Sequence, residues 1–200
     1  MALKAIIFDI DGVLADSRTA VVLNTKTLLR EFSIPFADGA VEKISSAHSA
    51  ESVLIALAPK LKNDEKLLKG MLARLAELTV QNLHLVNPTP IIPQIPALSK
   101  KYGLAAATNR KSSARMVLEK LGILRYFGAV VTSLDAPNKP NPKMIEIALQ
   151  GLGAKPSEAV FIGDNKEDRM AGEAAGVSVA ILDGTKENEW KKFEEKFLSH

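Results

Sequence analysis

Lys4-Ala5-Ile6-Ile7-Phe8 runs straight into Asp9-Ile10-Asp11-Gly12. The first five residues favour β structure and show no apolar/polar alternation, the pattern of a strand covered on both faces of a parallel sheet. An acidic turn containing glycine stops it. Ligands of open parallel sheets bind at the carboxyl ends of the strands, where Asp9 and Asp11 stand, and their i, i+2 spacing points both to one side.

Outward from this strand the chain changes regime. From Ser17 to about Val86 the periodicity is helical, carried by Val21, Val22, Leu28 and Leu29, then Val53, Leu54 and Leu57, then Leu67, Leu68, Leu72, Leu75 and Leu78. Asp16 or Ser17, Ser49 and Asn63 are the expected N-caps. The stretch Asn87-Pro88-Thr89-Pro90-Ile91-Ile92-Pro93 cannot continue a helix and reads as a linker. Beyond it, a helix ending at Tyr102 precedes alternating elements. Strands are predicted at 104–108, 129–132, 159–162 and 177–182, and helices at 112–121, 142–149 and 166–175. Asn141 before Pro142 is an expected helix start, and Gly122 and Gly176 are expected C-terminal caps. The expected fold class is therefore α/β: a parallel sheet with right-handed crossovers, built from residues 1–16 and 87–200, with residues 17–86 inserted as an all-helical cap domain.

Composition narrows the chemistry. The 200 residues include no cysteine, which excludes disulfide and thiolate-zinc scaffolds, and the histidines at 48, 84 and 200 are too scattered for a histidine metal site. Any metal must be held by oxygen. A net charge of +3 and a pI near 9.0 suit a small anionic substrate. There is no basic tail and only 5% aromatic residues, so nucleic acid is not the expected partner. No apolar run reaches the ~18 residues of a membrane span, and the N-terminal run ends too soon for a signal peptide, so the expected location is cytoplasmic.

Four predicted strand ends carry reactive groups: Asp9 and Asp11; Thr108 and Asn109; Lys139, before Pro140; and Asp164, with Asp168 one turn on. Each has a plain structural reading, as an acidic turn, a helix cap, a solvated lysine, or a cap and an exposed helix charge. A calcium loop fails, because Gly12 follows Asp11 directly and no glutamate falls at the required spacing. The plain readings would have to coincide four times, in order, at neighbouring strand ends. Clustered carboxylates repel unless a cation compensates, and an all-oxygen set suits Mg²⁺.

The segments FDIDGVLADS (8–17), AAATNR (105–110), NKPNPKM (138–144) and FIGDNKEDRMAGEAAG (161–176) resemble the four motifs of the haloacid dehalogenase-like superfamily. The placement of the helical block resembles the branch containing phosphoglycolate phosphatases and β-phosphoglucomutases. The resemblance implies a Rossmann-like core with the first strand central in its sheet. It also implies that Asp9 is a nucleophile forming an aspartyl-phosphate, while Asp11 protonates the leaving oxygen and then activates water. Thr108, Asn109 and Lys139 would hold the phosphoryl group. Asp9, Asp11 through its backbone, and Asp164 would bind Mg²⁺, with Asp168 supporting the metal shell or orienting Lys139. An aspartate at position 11 favours phosphate esters over carbon–halogen bonds. Val13, where many such phosphatases have threonine, leaves hydrolysis and transfer open, and the proline-rich approach to the second motif lacks a glycine often found there.

The leading expectation is a Mg²⁺-dependent phosphatase acting on a small phosphorylated metabolite, as a monomer or homodimer. The alternatives are a phosphosugar mutase, a signalling receiver domain, whose motif order fits poorly, and an inactive binding protein. Arg18, Lys43 and His48 are candidates for substrate selection, each with a solvated-surface alternative, and so is Arg110 beside the second motif.

Overall fold

The structure, a computed structural model, describes residues 2–37, 39–44 and 49–198. In chain order the strands and α-helices are β1 (Ala5–Phe8), β2 (Ala15–Asp16), α1 (Arg18–Glu31), α2 (Ala40–Ile44), α3 (Ala50–Leu57), α4 (Glu65–Gln81) and β3 (Asn87–Pro88). They continue with α5 (Ile95–Leu98), β4 (Gly103–Ala107), α6 (Ser113–Lys120), β5 (Ala129–Val131), α7 (Lys143–Leu152), β6 (Ala159–Gly163), α8 (Lys166–Ala174), β7 (Ser178–Ile181) and α9 (Glu187–Phe197). The chain divides into two compact units, residues 1–16 with 87–200, and residues 17–86.

The first unit holds a five-stranded sheet in the order β5-β4-β1-β6-β7, with every neighbouring pair parallel. β1 is central, with Ala5 opposite both Gly103 and Ala159. Its four residues are wholly buried, as expected of a strand covered on both faces. One face packs Ala5, Ile7, Ala105, Ala107 and Phe161 against Met144, Ile145 and Ala148 of α7 and Ala171 of α8. The intervening residues Ile6, Phe8, Leu104, Val160 and Ile162 alternate to the other face and are also buried.

Two elements lie outside the sequence reading. Asn87–Pro88 is not only a linker: it pairs antiparallel with Ala15–Asp16, tying together the two strands that lead into and out of the helical unit. Residues after 182 form α9, whose Trp190 and Phe193 are buried. Gly122 and Gly176 take the left-handed conformation after α6 and α8, as expected of C-terminal caps. Asn141 Oδ1 accepts from the Lys143 amide at the start of α7.

The second unit packs Leu28, Leu29, Val41, Leu54, Leu61, Leu68, Met71 and Leu78 into its own core, and its described residues contain no strand. A guanidinium fork from Arg74 grips both oxygens of Glu31 at 2.8 Å, joining α4 to α1. Ser49 caps α3, its hydroxyl accepting from the Ser52 amide. Ser17 precedes α1 without a side-chain cap, and Asn63 is not a cap either. It ends a 3₁₀ turn, and Asp64 caps α4 by accepting from the Leu67 amide at 3.0 Å. No described helix is long and apolar enough to cross a membrane.

The corrected cap is testable by urea denaturation. Asp64→Ala removes the acceptor and should cost about 1 kcal/mol, whereas Asn63→Ala should stay within about 0.5 kcal/mol of the parent.

Candidate active site

Asp9 follows β1 directly, and its amide donates to the Ile162 carbonyl at 2.8 Å, so the nucleophile candidate is fixed by the neighbouring strand β6. Its side chain meets Lys139. The Lys139 ammonium lies 2.8 Å from Asp9 Oδ1 and 2.6 Å from Asp168 Oδ1, and all three side chains are buried. Asp168 occupies the first turn of α8. Asn165 caps that helix, accepting from the Asp168 amide at 3.0 Å, while Asp168 Oδ2 accepts from the Asp164 amide at 3.0 Å. The plain reading of Asp168 as an exposed helix charge is thus excluded, and the cap is Asn165 rather than Asp164. Lys139 is positioned in turn by Asn109, whose Oδ1 accepts from the Lys139 amide at 2.8 Å. Thr108 is buried beside it, its hydroxyl accepting from the Arg110 amide at 3.2 Å.

All seven sequence candidates, Asp9, Asp11, Thr108, Asn109, Lys139, Asp164 and Asp168, belong to the sheet-bearing unit and gather at the carboxyl ends of β1, β4 and β6 and in the loop after β5. Arg18 and Lys43 belong to the helical unit, where both are exposed, and His48 lies outside the described residues.

Arg110 is not a solvated side chain. Its Nε and Nη2 donate to the two oxygens of Asp11 at 2.7 and 2.6 Å, Nη1 reaches Ser113 Oγ at 3.3 Å, and its side chain is 10% exposed. This two-pronged pairing holds the Asp11 carboxylate in a set plane. The signal in the sequence was only its place directly after Thr108-Asn109. Asn165, beside the expected cap Asp164, lies outside the sequence reading; its residue type is the only signal, and besides capping α8 its Nδ2 donates to Asp164 Oδ1 at 2.9 Å.

The electrostatics favour a bound cation. Carboxylate oxygens of Asp9, Asp164 and Asp168 lie within 4.8 Å of one another. Burial, reinforced by Asp168 and Asp11 against the pull of Lys139, pushes Asp9 up to about 8. Burial and then the Asp168 charge push Asp164 up to about 7. Burial alone would lower the Lys139 ammonium, but Asp9 and Asp168 outweigh it and hold its pKa above the ordinary value. Asp9 Oδ1 and Asp168 Oδ1 are shut from solvent without an aligned hydrogen bond, meeting Lys139 by charge contact. Four carboxylates here face two cations, and one divalent ion would balance the difference. The donors are all hard oxygens, a set that fits Mg²⁺. Gly12, at φ +76°, borders the cluster so closely that a Cβ would fall 2.0 Å from Asp164 Oδ2.

The haloacid dehalogenase-like hydrolase family matches residues 6–182 of this chain. Pyrophosphatase PpaX of Oceanobacillus iheyensis is 25% identical over 188 residues, covering 91% of this chain and 84% of that protein. Phosphoglycolate phosphatase 1 of Pseudomonas aeruginosa is 28% identical over 189 residues, covering 90% and 69%. Among solved structures, a hydrolase of this superfamily from Geobacter sulfurreducens superposes with a TM-score of 0.77 at 24% identity, over 97% of this chain and all of that one.

Carboxylates with raised pKa bind protons more tightly folded than unfolded. Their stabilising effect is complete below the unfolded value of 3.8 and is lost as pH rises through about 7 for Asp164 and about 8 for Asp9. Without metal, melting temperature should fall from pH 5 to pH 8.5. Added Mg²⁺ should raise it more at pH 8.5 than at pH 6, because the ligands are already ionised. Calorimetry with and without Mg²⁺ measures both, and equal Mg²⁺ shifts at the two pH values would refute the assignment.

Proposed function

The chain belongs to the haloacid dehalogenase-like hydrolase family, and from that premise we propose that it is a Mg²⁺-dependent phosphatase of small phosphomonoesters, acting through phosphoryl transfer to Asp9. The observation that carries this reading is the buried Asp9–Lys139–Asp168 chain of charges at the centre of the sheet, with a second carboxylate, Asp11, two residues away. The curated relatives support it, since those named above are a pyrophosphatase and a phosphoglycolate phosphatase.

Asp9 and Asp164, with the Asp11 backbone, would hold Mg²⁺, and Asp168, committed to Lys139 and the Asp164 amide, would support the site. When bound, that ion neutralises charge on the carboxylates and the phosphoryl oxygens. Asp9 attacks phosphorus as the bond to the leaving oxygen breaks, and Asp11 delivers a proton to that oxygen. Water then attacks the aspartyl-phosphate; Asp11 takes its proton and Asp9 is regenerated with release of inorganic phosphate. Lys139 serves two ends, fixing the Asp9 carboxylate and supplying positive charge to the phosphoryl group, which Thr108 and the Asn109 backbone would also bind. Before substrate arrives Arg110 holds Asp11 as a carboxylate, and this fork must open for Asp11 to take up the proton it delivers. To the helical unit, residues 17–86, we assign substrate selection, in the role of a cap.

Phosphate release from a panel of small phosphomonoesters, with and without Mg²⁺, tests the reading. Asp9→Asn should lose activity at least about 10³-fold, and Asp11→Asn at least about 10²-fold, with unchanged circular dichroism. Turnover by Asp9→Asn would sink the proposal, and phosphosugar isomerisation without phosphate release would favour a mutase.

A further inference from the structure

The turn carrying Asp9 and Asp11 is held from outside by backbone tethers. Thr89 Oγ1 donates to the Val13 and Leu14 carbonyls at 2.7 and 3.1 Å. From the opposite end of the chain, the Gly184 amide donates to the Gly12 carbonyl at 2.8 Å. This second approach is closer than any other residue type permits. A Cβ on Gly184 would lie 2.5 Å from the Gly12 and Val13 carbonyl oxygens and 2.7 Å from Val13 Cα, backbone atoms that cannot step aside. Gly12 has Asp164 against its other side, so Gly184, Gly12 and the proposed metal ligand Asp164 form one packed series.

Gly184 is itself held. Thr185 closes its turn, donating from backbone and hydroxyl to Asp183 Oδ1 at 3.1 and 2.6 Å. The Gly184 carbonyl accepts from Trp190 Nε1 at 2.8 Å. The indole is 1% exposed and meets Phe193 edge to face, and Phe193 stacks on Phe197, so the apolar stripe of α9 fixes the ring. A phenylalanine could fill much of that space, but it could not donate the hydrogen bond.

We infer that Trp190 is a positioning residue for the Asp9–Asp11 turn, acting through the Gly184 hydrogen-bond relay, and that its indole reports on occupancy of the site. The inference rests on Asp9 being the reacting carboxylate, as proposed above. The relay is two hydrogen bonds long, from indole N–H to the Gly184 carbonyl and from the Gly184 amide to the Gly12 carbonyl. Small displacements of a reacting group cost rate steeply, whereas a loss of packing outside the relay would affect only stability.

The chain has one tryptophan, so its emission reads this relay alone. Titrating Mg²⁺ into the full-length protein should change Trp190 emission in a saturable way, and Asp164→Asn should weaken that response about ten-fold or more in Mg²⁺ concentration. In kinetics, Trp190→Phe should lower kcat about ten-fold with KM within about two-fold, the signature of a misplaced reacting group. Ile123→Val, a packing change in the sheet-bearing unit at a buried residue outside the relay, should lower the melting temperature while keeping kcat. Parent-level kcat in Trp190→Phe, or an equal kcat loss in Ile123→Val, overturns the inference, as does flat emission across the Mg²⁺ titration. Should the parent protein turn over none of the phosphomonoesters, the phosphatase reading fails by itself. The emission titration then decides the relay, a saturable response upholding it and a flat one overturning it.

Discussion

A lysine ammonium out of water is costly unless charge and hydrogen-bonding partners replace its hydration, and Lys139 has two carboxylates for that purpose, Asp9 and Asp168. Neither carboxylate would be tolerable there without the lysine. The three therefore stand or fall together, and each belongs to a different segment: the end of β1, the loop after β5, and the first turn of α8. Their meeting requires β1 beside β6, as the order β5-β4-β1-β6-β7 provides. The Asn109 side chain then joins the end of β4 to the Lys139 backbone, so the loop from a non-adjacent strand reaches the centre of the sheet.

The same constraint shapes the surroundings. Asp168 spends its second oxygen on the Asp164 amide, and Asn165 caps α8 while holding Asp164 by its side-chain amide. Local helix chemistry and active-site geometry are therefore one hydrogen-bonded network. Removing a single member leaves a neighbour buried without a partner, which is why such networks cost more to break than their pairwise bonds suggest.

Much of this is legible in the amino-acid sequence. The uninterrupted apolar run of β1 and the alternation after residue 103 depend on local pattern, and local pattern survives into the fold. The gathering of Asp9, Lys139 and Asp168 followed from the rule that parallel strands end on one side. Less legible were features decided by distant partners. Arg110 could be read as surface because nothing in its own neighbourhood announces that Asp11, 99 residues earlier, will take its guanidinium. Asn63 and Asp64 are adjacent and equally able to cap, and the 3₁₀ turn beginning at Pro59 displaces the helix start by one residue. The helix α9 is poorly announced in the sequence because charged residues dominate it, while its apolar positions, Trp190, Phe193 and Phe197, form a narrow stripe.

Glycine supplies what charge cannot, namely closeness. Gly12 lies against Asp164, Gly163 against Asp168 and Gly184 against the backbone of Gly12 and Val13, each at a distance where a Cβ would collide. Every such position gives up more chain entropy on folding than an alanine would, and it does so beside carboxylates that repel one another. Both effects destabilise the site locally. The offset comes from elsewhere, from a central strand buried on both faces and from α9, whose aromatic stripe holds Gly184 in place through Trp190. A region remote in sequence from the acidic turn thus bears on its geometry, because the turn is too crowded with charge and too poor in side-chain bulk to hold its own shape.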